Sequence, residues 1–513
     1  MHLTLDPASS LPLYQQIRDQ IRQLIASGTL ARGDRLPPSR DLARRLGVHR
    51  TTVANAYAEL TADGWISGHV GRGTFVSKGV EAAVTSVANP ASNDSTLLAN
   101  GFLWTTLLAE THVDDPLDVL LTDALVDDPE LISFTTARPA EELFLVEEFR
   151  RCCSDVLKSE GRRLLQLGPS DGYPPLKEFL REELRREGIA VGARELLVVN
   201  GCQQGLDLIR KVFVRPGDTV LLENPCYPGA IQAFRTANVR CIGVPVNERG
   251  LNLDALETLL ARNRARLLLL TPNFHNPTGT TLSLDARRRV LELASQYHVP
   301  VVEDNIYGAL RLRGRDIPSL KALDRAGLVL HVNSFSKVCF PGLRVGWIVA
   351  SEPVIERLRI AKQATDLHTD QLAQAALAEF CRRGFLRRAI TRTRAEYRVR
   401  LEQAEKALAQ YFPPEVHWVR PDGGMLIWVR LPEGLDAGAL LLKARERKVL
   451  FTPGRFFYFQ AVESHTLRLG FSSLKPQQIE QGIAILGSLL KAQIRQQRRL
   501  VPRPAEPGRV ALV

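Results

Sequence analysis

Five times between residues 195 and 340 a short apolar run breaks off into a cluster of polar residues. Leu196–Val199 runs into Asn200-Gly201-Cys202-Gln203-Gln204-Gly205, and Val220–Leu222 into Glu223-Asn224-Pro225-Cys226-Tyr227. Leu267–Leu270 ends in Thr271-Pro272-Asn273-Phe274-His275-Asn276-Pro277-Thr278-Gly279. Pro300–Val302 ends in Glu303-Asp304-Asn305-Ile306-Tyr307, and Leu328–Val332 in Asn333-Ser334-Phe335-Ser336-Lys337. Continuous short runs of this kind are strands covered on both faces. The helical periodicity between them predicts a mainly parallel sheet with crossover helices. Open sheets of that type bind ligands at the carboxyl ends of their strands. One such cluster is an ordinary turn; five in succession mark a site.

The residue types at those ends share a chemistry. A lysine just past a buried strand, Lys337, set among hydroxyls and followed by Arg344, can form an imine with an aldehyde while a phosphate is held nearby. The glycine-bounded turn at Gly201 opens a helix, whose free backbone N–H groups suit an anion. A carboxylate such as Asp304 opposite a pyridine nitrogen keeps it protonated, so that the ring draws electrons. The seven cysteines are scattered without a C-x-x-C pair, so neither a disulfide scaffold nor a zinc site is expected, and no metal is assigned.

In order and at matching separations the chain carries Asn-Pro-Thr-Gly at 276–279, Glu-Asp-x-x-Tyr at 303–307 and Ser-Phe-Ser-Lys-x-x-x-Pro-Gly-Leu-Arg-x-Gly-Trp at 334–347. These motifs resemble the fold-type I pyridoxal-phosphate (PLP) aminotransferases of the kynurenine/aminoadipate-like subgroup, over about residues 130–490. The resemblance implies that Lys337 forms the Schiff base with PLP and Asp304 pairs with the pyridine nitrogen. Tyr307 and Asn276 would donate to the ring oxygen, and Tyr227 would stack on the ring. Gly201, Cys202, Gln203, Ser334, Ser336 and Arg344 would hold the phosphate. Arg468, in Thr466-Leu467-Arg468-Leu469-Gly470, would grip an α-carboxylate, a bidentate task suited to arginine. Two positions depart from the family pattern. Leu167 stands where a tyrosine often reaches the neighbouring subunit's cofactor, and Ala137 replaces a glycine near the substrate. Both argue for weak or partial transamination.

The first 77 residues read differently. Leu13, Ile17, Ile21, Leu24 and Ile25 fall at helical steps ending near Gly28, and a second short helix spans Ser39–Leu46, with Ser39 as its expected cap. After Leu46-Gly47-Val48 a third helix is predicted over Arg50–Asp63, then a hairpin around His69-Val70-Gly71-Arg72-Gly73. This order is a winged helix-turn-helix, whose third helix enters the major groove of DNA. The run from Leu13 to Val76 resembles the GntR family of bacterial repressors. That resemblance places Arg40, His49, Arg50, Thr51, Thr52 and the wing at Gly71 at double-stranded DNA. Arg50 and Thr51 are the candidates for base edges. His49 occupies an N-cap position usually held by Ser or Thr, so a weaker helix start is expected.

A linker is expected at 78–100, since this stretch is rich in Ala, Ser, Val and Asn without a sustained period. From Gly79 to Ala137 there are ten acidic residues and no Lys or Arg, although the whole chain carries a net +11. The boundaries read from the sequence are a DNA-binding domain at 11–77, an acidic arm at 101–134, a large PLP domain at 135–349, a small domain at 350–490 and a basic disordered tail at 491–513. The fold class is therefore multidomain: a winged helix-turn-helix, then an α/β fold-type I aminotransferase fold with a large mainly parallel-sheet domain and a smaller α+β domain. No apolar run reaches the roughly 18–20 residues a bilayer requires, and no secretory signal opens the chain.

The combination resembles the MocR family of bacterial regulators. It implies a cytoplasmic, homodimeric transcription factor that binds operator DNA and senses PLP, or a PLP-reactive amine or amino acid. The rival reading is an active PLP-dependent aminotransferase with an appended DNA-binding domain.

Overall fold

The computed structural model describes residues 3, 5, 12–26, 30, 33–62, 65–69, 73–77, 130–235 and 237–500. The chain divides into two compact units, residues 1–113 and 114–513. The expected linker, nearly all of the acidic arm, and Gly28, Asp63, Gly71 and the last thirteen residues lie outside the described residues.

In the first unit, α1 (Leu13–Ala26) buries Ile17, Ile21 and Ile25 on one face at four-residue spacing. A short strand, β1 (Arg35–Leu36), leads to α2 (Ser39–Leu46). Ser39 is the first helical residue rather than the cap: Pro38 holds the cap position, and no side chain caps this end. Gly47 ends the helix at a φ of 66°, a left-handed turn that a side chain disfavours. The third helix, α3 (Arg50–Ala62), buries Val53, Ala56, Tyr57 and Leu60, and the Tyr57 hydroxyl donates to Pro37 O at 2.8 Å. Strands β2 (Ile66–His69) and β3 (Gly73–Val76) form the antiparallel wing, with β1 on the other edge of β3. At two residues β1 is too short to carry a period, and only the hairpin is visible in the sequence.

The second unit opens on β4 (Ile132–Ser133), α4 (Val146–Leu164) and α5 (Pro174–Arg186). Its main sheet uses β5 (Leu196–Val199), β6 (Thr219–Asn224), β7 (Arg240–Asn247), β8 (Gly250–Leu251), β9 (Ala265–Leu270), β10 (Val301–Asp304), β11 (Val329–Ser334) and β12 (Gly346–Val349). The spatial order is β5-β12-β11-β10-β9-β6-β7-β8. The run from β11 to β7 is parallel, and β12 lies antiparallel between β5 and β11. Helices α6 (Gly201–Phe213), α7 (Pro228–Arg235), α8 (Leu253–Arg262), α9 (Leu284–Gln296) and α10 (Leu320–Leu323) make the connections. Strand alternation divides β5 between two cores. Leu197 and Val199 join Leu206 and Ile209 of α6, while Leu196 and Val198 join Leu176 and Leu180 of α5.

Helices α11 (Glu352–Asp366), α12 (Gln371–Arg382) and α13 (Phe385–Tyr411) lead to the second sheet. It comprises β13 (His417–Trp418), β14 (Leu426–Arg430), β16 (Thr452–Pro453) and β17 (Thr466–Gly470), in the order β13-β14-β17-β16. Helices α14 (Ala437–Glu446) and α15 (Pro476–Leu500) cover it, and β15 (Val449–Leu450) pairs in parallel with β4. Ile132, Phe134, Ala140 and Leu143 share one core with Leu426, Leu467 and Ile483, so the start of this unit packs with its end rather than with the main sheet. Periodicity carries no signal for a pairing across so many residues. Helix α15 continues ten residues past 490 because Leu486, Leu490 and Ile494 keep a buried stripe going.

Candidate functional site

The ends of β6, β9, β10 and β11, the start of α6, strand β17 and the segment Thr136–Arg138 enclose a cavity of about 320 Å³. Its walls include Cys202, Gln203, Tyr227, Asn276, Asp304, Tyr307, Ser336, Lys337, Arg344 and Arg468, ten residues singled out from the sequence. Gly201 and Ser334 stand behind them. The parallel topology explains the convergence: four strands end on one edge, and each passes its first loop residues to the same space.

One end of the cavity is an anion cup. Arg344 sits at the left-handed φ of 54° that closes a short turn, and its Nη1 donates to Ser336 Oγ at 3.3 Å and Pro341 O at 3.3 Å. Its Nη2 donates to Asn200 O at 3.4 Å. The Ser334 and Ser336 hydroxyls lie 2.8 Å apart. Gly201 has a φ of 78°, which disfavours a side chain, and a Cβ there would stand 2.5 Å from Arg344 Nη2 and push the guanidinium away from the helix start. The Gln203 amide nitrogen donates to Gly229 O at 2.9 Å, and its buried Oε1 has no hydrogen-bond partner among the described residues.

The remaining wall is built for a ring and an amine. Asp304 is buried at the end of β10, with Oδ1 accepting from Ile306 N at 3.2 Å. Burial pushes its carboxyl up to about 6, since no cation pairs directly with it. Lys337 Nζ donates to Ala137 O at 2.6 Å and lies 5.7 Å from the Tyr307 ring centroid. Burial, helped by the charge on Arg468, draws the lysine down to about 8, which raises the fraction of neutral amine near neutral pH. Arg468 is buried. Its Nη1 donates to Asn276 Oδ1 at 3.0 Å, and its Nη2 donates to Thr135 O and, at 3.3 Å, to Thr452 Oγ1. Asn276 thus has its oxygen engaged and its Nδ2 left as a donor. Tyr307 is buried, whereas Tyr227 is 38% exposed at the cavity edge. An anion cup, a buried carboxylate, a lysine of lowered pKa and amide and phenol donors together fit pyridoxal phosphate.

Sequence reasoning missed Thr136, Arg138, Thr271 and Ile306, which also line the cavity. Thr271 and Ile306 lie inside two of the strand-end clusters, and that position was the available signal. Thr136 and Arg138 flank Ala137, which the family resemblance sets near the substrate and which also lines the cavity, and that neighbourhood was their signal. Leu167 does not line the cavity and is 71% exposed. A larger hollow of about 790 Å³ lies among α4, α5 and α12, but its charged groups pair with one another, as in Arg186–Glu182 and Arg382–Glu379.

In the first unit, Arg40, His49, Arg50 and Thr51 are exposed, and Thr52 is half-buried. Neither Arg40 nor Arg50 has an ion-pair or hydrogen-bond partner for its side chain among the described residues. His49 Nδ1 lies 2.8 Å from Thr51 Oγ1 and accepts from Thr51 N at 3.4 Å, so the imidazole offers the helix start an acceptor in place of a hydroxyl.

Residues 139–486 match aminotransferase class I and II, and residues 13–76 match the bacterial regulatory proteins of the gntR family. A 2-aminoadipate transaminase of Thermus thermophilus is 42% identical over 370 residues, 72% of this chain and 92% of the relative. The HTH-type transcriptional regulator TauR of Rhodobacter capsulatus is 33% identical over 494 residues, 95% of this chain and 98% of the relative, so the likeness covers both units. Among solved structures, an α-aminoadipate aminotransferase of Thermus thermophilus, complexed with N-(5'-phosphopyridoxyl)-L-leucine, is 38% identical with a TM-score of 0.71. The match covers 77% of this chain and 99% of that one.

Proposed function

We propose, for a chain that belongs to the class I and II aminotransferase family and carries the gntR-type head of MocR-like transcriptional regulators, that its body binds PLP and senses PLP or a PLP-reactive amine or amino acid on behalf of that head. Bound PLP supplies an aldehyde that exchanges with primary amines. Arg344, Ser334, Ser336 and the helix start at Gly201, Cys202 and Gln203 hold its phosphate. Asp304 holds a proton on the ring nitrogen, Tyr307 and Asn276 donate to the ring oxygen, Tyr227 covers the ring face, and Lys337 is the reacting amine. Arg468 receives the effector's carboxylate. Arg40, Arg50 and Thr51 meet an operator in the cytoplasm, with Gly71 as the wing tip.

One observation carries the sensing reading. Arg468 donates to the carbonyl of Thr135, and Lys337 to the carbonyl of Ala137. The two cations that a cofactor and an amino acid would engage are thus tethered to one backbone segment. A ligand that takes over either cation competes with those tethers, which links occupancy to the state of residues 135–138. Such a ligand shifts the equilibrium only by its unequal affinity for the two states. The test is operator affinity of the PLP-loaded full chain, measured by fluorescence anisotropy with and without candidate amines. A change of about five-fold or more is expected. Unchanged affinity across amines and across PLP removal overturns the reading.

The protein is a homodimer in this reading, with the exposed Leu165 and Leu167 covered by the second copy. Sedimentation of the full chain checks this. A second reading, a working aminotransferase, draws support from the lowered pKa of Lys337 and from the Nε of Arg468, which has no hydrogen-bond partner among the described residues. Rapid multiple-turnover transfer to 2-oxoglutarate without sequence-specific DNA binding favours it.

A further inference from the structure

Four cations line the cavity, Lys337, Arg344, Arg468 and Arg138, against a single carboxylate, Asp304. Three of them are engaged. Arg344 donates into the anion cup, Arg468 to Asn276, Thr135 and Thr452, and Lys337 to Ala137 O. The guanidinium of Arg138 has no hydrogen bond and no ion pair among the described residues. Its base is nonetheless fixed. The Arg138 carbonyl accepts from Ser472 Oγ at 2.7 Å, Pro139 restricts the backbone that precedes it, and Ala140 N donates to the Tyr397 hydroxyl at 3.2 Å. The residue lines the cavity yet remains exposed, which places it at the rim.

On the proposed function, a phosphate satisfies Arg344, an α-carboxylate satisfies Arg468 and Lys337 reacts with the cofactor. One arginine is left without an anion. We infer that Arg138 is a specificity-determining residue, which recognises a second acidic group on the side chain of the amine ligand. The effector class is then an acidic amino compound rather than a neutral or basic one. Arginine suits this role because its planar fork pairs two N–H donors with a carboxylate, and a fixed backbone reduces the entropy lost on pairing.

The test uses the PLP-loaded full chain and follows the near-visible absorbance of the cofactor during titration with matched ligands, L-glutamate against L-glutamine and L-2-aminoadipate against L-norleucine. The acidic member of each pair should half-saturate at about ten-fold lower concentration or less, the scale of one charge-assisted hydrogen-bonded pair. In Arg138→Gln that ratio should fall to about one, and in Arg138→Lys part of it should return, as a point charge without the fork allows. Retained PLP absorbance shows that each variant is folded and loaded. A wild-type protein with no preference, or a preference that survives Arg138→Gln, overturns the assignment. If no amine alters the absorbance, the amine-sensing reading falls. Calorimetry with glutarate against butyrate, which need no amine exchange, then decides Arg138 by the same ratio in wild type and Arg138→Gln.

Discussion

The two units place their functional side chains in opposite ways. In the head, Arg40, Arg50 and Thr51 are exposed on short helices, and neither arginine is engaged by a protein partner among the described residues. In the body, Asp304, Asn276 and Arg468 are buried, Lys337 is half-buried, and all four are joined to neighbours by hydrogen bonds. A surface that reads a polyanion needs free cations whose hydration is easily exchanged for phosphate contacts. A site that does chemistry on a small molecule needs its groups fixed and partly dried, so that burial can tune them. Arg138 lines the same cavity while keeping the exposure and the unpaired guanidinium of a head residue among the described residues.

Several experiments sharpen this contrast or break it. Lys337→Ala has the largest expected effect: complete loss of the near-visible absorbance and of borohydride trapping of PLP, while the head still binds operator DNA. When PLP is added to the PLP-free wild type, the rate at which the near-visible absorbance develops should rise with pH through about 8 rather than through the ordinary lysine value of 10.5, because the amine gives up its proton early. Absorbance that survives the substitution would mean that the body's chemistry is not fixed where its burial places it.

Asp304→Asn comes next. The carboxyl's folded-state value, about 6, lies above its ordinary 3.8. In the PLP-free protein its contribution to stability is therefore full below pH 3.8 and is lost as pH rises through about 6. At about 1.4 kcal/mol per pH unit, the loss is on the order of 3 kcal/mol. Chemical denaturation of the PLP-free wild type and of Asp304→Asn should diverge across that window, with the variant more stable at neutral pH. Parallel curves would remove the link between burial and tuning.

Arg50→Ala should weaken operator binding by roughly 1–3 kcal/mol if the residue reads a base edge, and relax specificity at one position. A uniform loss across sequences, with a shallower salt dependence, would make it a phosphate contact instead. The smallest effect belongs to His49→Ser, which replaces an imidazole acceptor 3.4 Å from Thr51 N with a hydroxyl. It should stabilise the head by about 0.5–1 kcal/mol in thermal unfolding.

Much of this architecture is legible in the sequence because it follows local rules. Buried parallel strands read as continuous apolar runs, so β5, β9, β10 and β11 announce themselves, and the polar residues after them find the cavity. The winged helix is visible through its helical steps and its glycine turns. The missing parts are of two physical kinds. Some are too short for any period, such as β1. Others depend on contacts distant in sequence, such as β4 beside β15. The helix start at His49 turns on a different point. Residue type alone predicts a weak cap there, whereas the backbone requires only an acceptor within reach, and an imidazole nitrogen supplies one.

The tethers of the cavity also differ in how far along the chain they reach. Arg344 finds Ser336 eight residues away, within the loop that precedes the antiparallel strand β12. Arg468 finds Asn276 across 192 residues and Thr135 across 333. Closing a short loop costs little entropy, and closing a long one costs more and comes later in folding. The cluster around Arg344 can therefore assemble from its own neighbourhood, while the cluster around Arg468 waits for the two ends of the body to meet. A chain cut before β17 would retain the loop that carries Lys337 and Arg344, and would lose Arg468, to which the proposed function assigns the effector's carboxylate.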